Sequence, residues 1–277
     1  MLGKLFKYDM KALLRMMLPL MLSVLGTTLV VTIALRILVE MSQSSHRMED
    51  PFTGLFMMSL GLLAFATVMA LLAFVVIATV FVLYRYYKNL FTDEGYLTFT
   101  LPVTPGQILF SKAASGIIWL AIAAVIAVVC AELIFVGGGD VAQMAQQILS
   151  WMRYALGNMG LDGGLYAAEA IVSIVVSLIY SVLLYYLSIT IGSTVARRHK
   201  VMASIGIYMG IQLALSIVSS LIQVFPMMYM ESSVLGTGYT TWMLHLTSII
   251  NLVLSAGVAV GSYFACRAIL TRRLNLS

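Results

Sequence analysis

The side chains able to do chemistry gather in one polar interval. Arg85 to Lys112 (RYYKNLFTDEGYLTFTLPVTPGQILFSK) joins two long apolar runs and holds Asp93 and Glu94 among Arg85, Lys88 and Lys112. The two carboxylates are followed by Gly95, Tyr96, Leu97, Phe99 and Leu101. A solvated connector has no physical reason to carry that many exposed apolar groups, so the chemistry this interval suits is recognition by another protein. Thr92 can cap a short helix with Asp93 and Glu94 in its first turn, where carboxylates meet the positive end of the helix dipole. The rival reading is a strand, since Leu97, Phe99 and Leu101 alternate with Thr98 and Thr100. The helix is preferred on context. Pro102 and Pro105 end it, and Thr104-Pro105-Gly106-Gln107 reads as a capping box with proline at the first helical position, which predicts a new helix from Pro105.

No other chemistry of comparable density exists along the chain. There is no GxxxxGK[ST] phosphate-binding loop, no HExxH and no clustered Ser/His/Asp, so no catalytic residue, metal site or cofactor is expected on this chain. His46 stands alone in a polar loop and reads as solvated. Cys130 and Cys266 fall near opposite ends of their apolar runs, too far apart for a bridge. What remains is a sparse set of polar groups inside apolar runs. Gln212, Tyr185, Ser181 and Asn251 lie at mid-depth, where neutral polar side chains bond between helices or line a substrate path. Glu132, Glu169 and His245 lie near the outer ends of their runs. Glu132 is 20 residues beyond Lys112, and a helix rises about 1.5 Å per residue. These three read as water-accessible interfacial groups; the functional alternative is a cationic vestibule partner or an ion pair with Arg36 or Arg153.

The elements that must position these groups follow from composition. The 277 residues are 61% hydrophobic and 10% charged, with a mean hydropathy of +1.01. Such a chain cannot hide its apolar surface in a water-soluble globule. Six stretches are long enough to cross about 30 Å of hydrocarbon: Met16–Leu38, Leu55–Tyr84, Ile108–Val136, Leu165–Ala196, Val201–Met230 and Trp242–Leu270. Thirteen of the 16 basic residues then fall on one side, leaving only Arg36, Arg47 and Arg153 on the other. The positive-inside rule makes that side cytoplasmic, with both termini and the 85–112 loop. The net charge of +5 is thus accounted for by membrane topology, without a nucleic-acid partner.

Residues 1–15 place Leu2, Leu5, Phe6, Met10, Leu13 and Leu14 opposite Lys4, Lys7, Lys11 and Arg15, the pattern of a helix lying on anionic membrane lipid. Residues 16–277 are expected to form one integral domain. After the Gly137-Gly138-Gly139 turn, 141–157 reads as an external amphipathic segment with Val141, Met144, Ile148 and Trp151 on one face. Pro226 is expected to break or kink the fifth span. Gly206/Gly210 and Gly257/Gly261 each form GxxxG, which permits close helix approach. The expected fold is an all-α polytopic membrane protein with six spans, an amphipathic elbow helix before the first and a coupling helix between the second and third.

Glu94-Gly95 followed by Leu101-Pro102-Val103-Thr104-Pro105 and a helix start ending in Lys112 resembles the coupling segment of ABC transporter type 2 permeases, the exporter-type membrane subunits. Six spans, cytoplasmic termini and an elbow helix are also features of that family. The external 141–157 segment departs from its usual short connector, and the short Ser232–Thr241 interval departs from the re-entrant pair that more often follows the fifth span. The resemblance implies a bacterial plasma-membrane protein paired with a second permease copy or a homologous permease. Each permease would be seated on a separate ABC ATPase that carries the ATP and Mg. Contact with the ATPase would fall on Asp93, Glu94, Gly95, Tyr96, Leu97, Phe99, Leu101, Pro102 and Pro105, and a hydrophobic drug, antimicrobial peptide or lipid-like substrate would be exported by alternating access. A candidate substrate path comprises Gln212, Tyr185, Asn251, Glu132 and Glu169. The scarcity of carboxylates at mid-depth argues against a secondary transporter or channel, and a non-transporting immunity or sensor subunit stays open beside it.

Overall fold

The computed structural model describes residues 2–44, 51–92, 95, 102–137, 146, 149–150, 153, 161–196, 198–231 and 237–274. Six long helices account for nearly all of them: α1 (Leu2–Ser44), α2 (Pro51–Phe91), α3 (Pro105–Gly137), α4 (Leu161–Val195), α5 (Lys200–Glu231) and α6 (Thr237–Leu274). Each contains a stretch long and apolar enough to cross a membrane, which makes the chain, helical without strands among the described residues, a multi-pass membrane protein.

The helix boundaries follow local chemistry. Phe91 ends α2, and the Thr92 hydroxyl donates back to the Lys88 carbonyl, satisfying one acceptor of the last turn. α3 begins at Pro105 as the capping box predicts: the Thr104 N–H donates to Gln107 Oε1 at 3.2 Å, and the N–H groups of Gln107 and Ile108 donate to the Thr104 carbonyl at 2.9 and 3.2 Å. Between α4 and α5 the chain reverses within a few residues, with the Ala196 N–H bonded to the Gly192 carbonyl and the Ala203 N–H to that of His199.

Two helices run on through positions where the sequence suggested a boundary. Residues 2–15 are helical, with Lys4, Lys7, Lys11 and Arg15 exposed, but no break separates them from the first span: α1 is continuous from Leu2 to Ser44 and passes through Pro19. The amphipathic elbow turns are thus continuous in helix with the first span. The amphipathic period that suggested them carries no information on where a helix stops. Likewise α5 is helical through Pro226 to Glu231, so of the expected break or kink the break does not occur; a single proline near a helix end removes one backbone bond and leaves the rest of the ladder intact. The segment 141–157, expected to be external, lies outside the described residues apart from Gln146, Leu149, Ser150 and Arg153, which are helical.

The chain divides into two compact units, one formed by 8–82 and 118–153, the other by 1–7, 83–117 and 154–277. The first has its core on stripes at helical spacing: Leu13, Met17, Met21, Val24, Thr28 and Val31 on α1; Thr67, Leu71, Phe74, Ala78 and Val82 on α2; Trp119, Ala123 and Cys130 on α3. Within it the Thr32 hydroxyl reaches from α1 to the Leu133 carbonyl of α3 at 3.1 Å. In the second unit α4 is central and packs against both α6 and α5. α4 and α5 approach so closely at Gly192 that a Cβ there would lie 2.6 Å from Ser204 Cα and N. Only a residue without a side chain permits that crossing.

Candidate functional site

The second unit holds the flanks of the 85–112 interval, and buried polar contacts fix both of them. At the end of α2, Tyr86 is buried and its ring stacks on Tyr186 of α4, with centroids 3.7 Å apart and planes within 6°. The Thr190 hydroxyl gives its proton to the Tyr186 carbonyl at 2.7 Å, so the Tyr86 hydroxyl is the donor in its 2.8 Å bond to Thr190 Oγ1. The Cys266 thiol of α6 donates to the same oxygen at 3.8 Å. At the start of α3, the Tyr186 hydroxyl donates to the Lys112 carbonyl at 3.1 Å, and the Tyr263 hydroxyl of α6 donates to the Gly106 carbonyl at 3.3 Å. Side chains of α2, α4 and α6 thus grip the two helices that enter and leave the interval. Buried, satisfied networks of this kind rigidify the groups they join.

Gly95 is the described residue inside the interval that shows why its type is required. Its N–H donates to the Thr92 carbonyl at 2.8 Å, and a Cβ would meet the Leu90 carbonyl oxygen at 2.7 Å. The chain folds back onto the end of α2 there, and a side chain would collide with backbone. Pro102 is exposed and Pro105 opens α3. Asp93, Glu94, Tyr96, Leu97, Phe99 and Leu101 lie outside the described residues, and with them the helix-or-strand question at 97–101.

Four of the five residues expected on a substrate path lie in the second unit, spread along α4, α5 and α6, each with a different partner. Tyr185 of α4 lies against Tyr208 of α5, with ring centroids 4.8 Å apart. Tyr180 of α4 donates to Gln212 Oε1 of α5 at 3.0 Å. The Gln223 amide of α5 is 3.4 Å from Asn251 Oδ1 of α6, and Glu169 Oε1 of α4 is 3.0 Å from His245 Nδ1 of α6. These pairs form a ladder of polar links among three apolar helices. Gln212, Ser216, Ser220 and Gln223 recur at helical spacing along one exposed side of α5, only 6% of whose most apolar stretch is buried.

Glu132, the fifth, is exposed on α3 in the other unit and is not part of the ladder. The partner of Glu169 is His245, where the sequence offered Arg36 or Arg153; opposite charge and depth suggested the arginines, but α6 is what packs on α4 at that level. The other carboxylate oxygen, Oε2, is buried without a hydrogen-bond donor. The two cysteines are buried and free. Among the described residues no group of His, Cys, Asp and Glu could hold a metal ion.

Sequence reasoning missed Tyr86, Tyr186, Thr190, Tyr263 and Gly192. Contacts spanning 104 or 157 positions leave no local trace in the sequence. No family model matches this chain, and neither a curated protein nor a solved structure does.

Proposed function

We propose that the chain is the membrane-spanning permease subunit of an ATP-driven ABC exporter. In this reading the 85–112 interval faces the cytoplasm and receives a separate ATPase through Asp93, Glu94, Gly95, Tyr96, Leu97, Phe99, Leu101, Pro102 and Pro105. The observation that supports it most is the pair of polar clamps on the interval's flanks: Tyr86 to Thr190, and Lys112 and Gly106 to Tyr186 and Tyr263. A push on the interval loads α4 and α6 directly, and these carry the polar ladder with α5. ATP binding and hydrolysis on the partner would shift the population between two arrangements of these helices. The exposed polar side of α5 then faces a second copy or a homologous permease across a path for a hydrophobic or amphipathic substrate, because glutamine and serine directed at lipid are costly.

The contact between Glu169 and His245, at the adjoining ends of two membrane-spanning stretches, favours a second reading as a secondary transporter. Inverted membrane vesicles from cells expressing the chain with its natural partners separate the two. ATP-dependent uptake of a lipophilic dye that survives a protonophore supports the exporter. Uptake that ignores ATP and collapses with the protonophore establishes the secondary transporter.

A further inference from the structure

Both flanks of the 85–112 interval rest on one side chain of α4. The ring of Tyr186 stacks on Tyr86, near the end of α2, and its hydroxyl donates to the Lys112 carbonyl, in the first turns of α3, at 3.1 Å. The chain between Tyr86 and Lys112 is therefore a loop whose two ends are held against the same phenol.

The hydrogen bonds around that ring run in one sense from α2 to α3. Tyr86 donates to Thr190 Oγ1, Thr190 donates to the Tyr186 carbonyl, and Tyr186 donates to Lys112. A hydroxyl has one proton and two lone pairs. Thr190 gives the proton to Tyr186 and receives Tyr86 and the Cys266 thiol, so its capacity is filled. Tyr86, Tyr186, Thr190 and Cys266 are each no more than 1% exposed, so water cannot stand in for a lost link. Separating the flanks means unstacking Tyr86 or stripping the Lys112 carbonyl, whereas moving them together leaves every bond intact. A buried, filled network of this kind behaves as one rigid piece.

We propose that Tyr186 is the positioning residue that joins the two flanks into one body and passes their displacement to α4, with Thr190 as the node that holds the ring in place. The source of the displacement rests on the exporter reading; the joining of the flanks does not. Ser115 supplies an internal control, because its hydroxyl donates to the same Lys112 carbonyl at 3.0 Å from within α3 and links nothing to α4.

Two measurements test this. The first is the thermal midpoint of the detergent-purified full chain as Tyr86→Phe, Tyr186→Phe and the double variant. Members of one network do not add, so the double variant is expected to lose less than the sum of the single losses; additive shifts would mean two independent clamps and overturn the joining role. The second is ATP hydrolysis and dye uptake, measured together in inverted vesicles holding the chain and its natural ATPase. Tyr186→Phe keeps the stacked ring and is expected to leave hydrolysis unchanged while uptake per ATP falls about fivefold, the factor that one net hydrogen bond corresponds to. Ser115→Ala is expected to keep the wild-type ratio. Equal falls in Ser115→Ala and Tyr186→Phe, or hydrolysis and uptake falling in step in Tyr186→Phe, would mean local packing at Lys112 and overturn the transmission role. Wild-type uptake that ignores ATP overturns the exporter reading and the transmission role with it, and the midpoint comparison still decides whether Tyr186 joins the flanks.

Discussion

Tyr86 carries two separable contributions, a stacked ring and a donated hydrogen bond, and substitutions can take them apart. Tyr86→Phe keeps the stack on Tyr186 and leaves Thr190 without its strongest donor, which costs about 1 kcal/mol, the usual net worth of such a bond. Tyr86→Ala removes a large buried side chain and is expected to cost about 3–5 kcal/mol. Thermal midpoints of the detergent-purified variants check the order: wild type highest, then Phe, then Ala well below. Gly95→Ala is a sharper case, because the new methyl would press on the Leu90 carbonyl and cannot be relieved by a side-chain rotation. Limited proteolysis should cut that variant between residues 92 and 104 faster than wild type while the spans stay protected. Gly95 was singled out in the sequence for its place in a recognisable run. The reason only glycine fits, the backbone folding onto Leu90, is a tertiary fact that no local pattern encodes.

At the scale of helices, the glycines divide into two kinds. Gly192 of α4 is pressed against Ser204 of α5, whereas Gly206, Gly210, Gly257 and Gly261 have nothing within 4 Å of an added Cβ. Gly192→Ala should therefore lower the thermal midpoint of the isolated chain, and Gly257→Ala should leave it within experimental scatter. The GxxxG spacing drew attention to the open glycines because it can be seen in sequence, while Gly192, which makes the close crossing, belongs to no such motif. The six spans themselves were legible, since about 20 apolar residues in a row have few other uses. So was the start of α3, since the Thr104–Gln107 box acts within one turn. The continuity of α1 through Arg15 and of α5 through Pro226 was not, because amphipathic period and a lone proline describe turns and not whole helices. The link between α4 and α6 at Glu169 and His245 can be weighed with Glu169→Gln, His245→Gln and the double variant. Residues in direct contact couple by about 0.5–3 kcal/mol, so the double variant should be less destabilised than the sum of the singles.

For the whole molecule, the charge asymmetry makes a prediction that does not depend on any partner. Cysteines introduced at Lys4 and Ser277 should be labelled by a membrane-impermeant maleimide only after cells are opened, and one at Ser45 in intact cells; the native Cys130 and Cys266 are buried and should stay silent. The functional claim goes further, since it requires a second protein at the 85–112 interval. As an exporter subunit, Glu94→Lys should leave membrane insertion intact and abolish the coupling of ATP hydrolysis to transport; wild-type stimulated hydrolysis in that variant would contradict the docking role. The most direct measurement is affinity purification of the tagged chain from its native membranes in mild detergent, with mass spectrometry of what stays bound. A stoichiometric ATPase with a phosphate-binding loop, lost when Glu94 and Phe99 are replaced, is the predicted result. A chain that comes out alone and still moves solute across liposomes would contradict it.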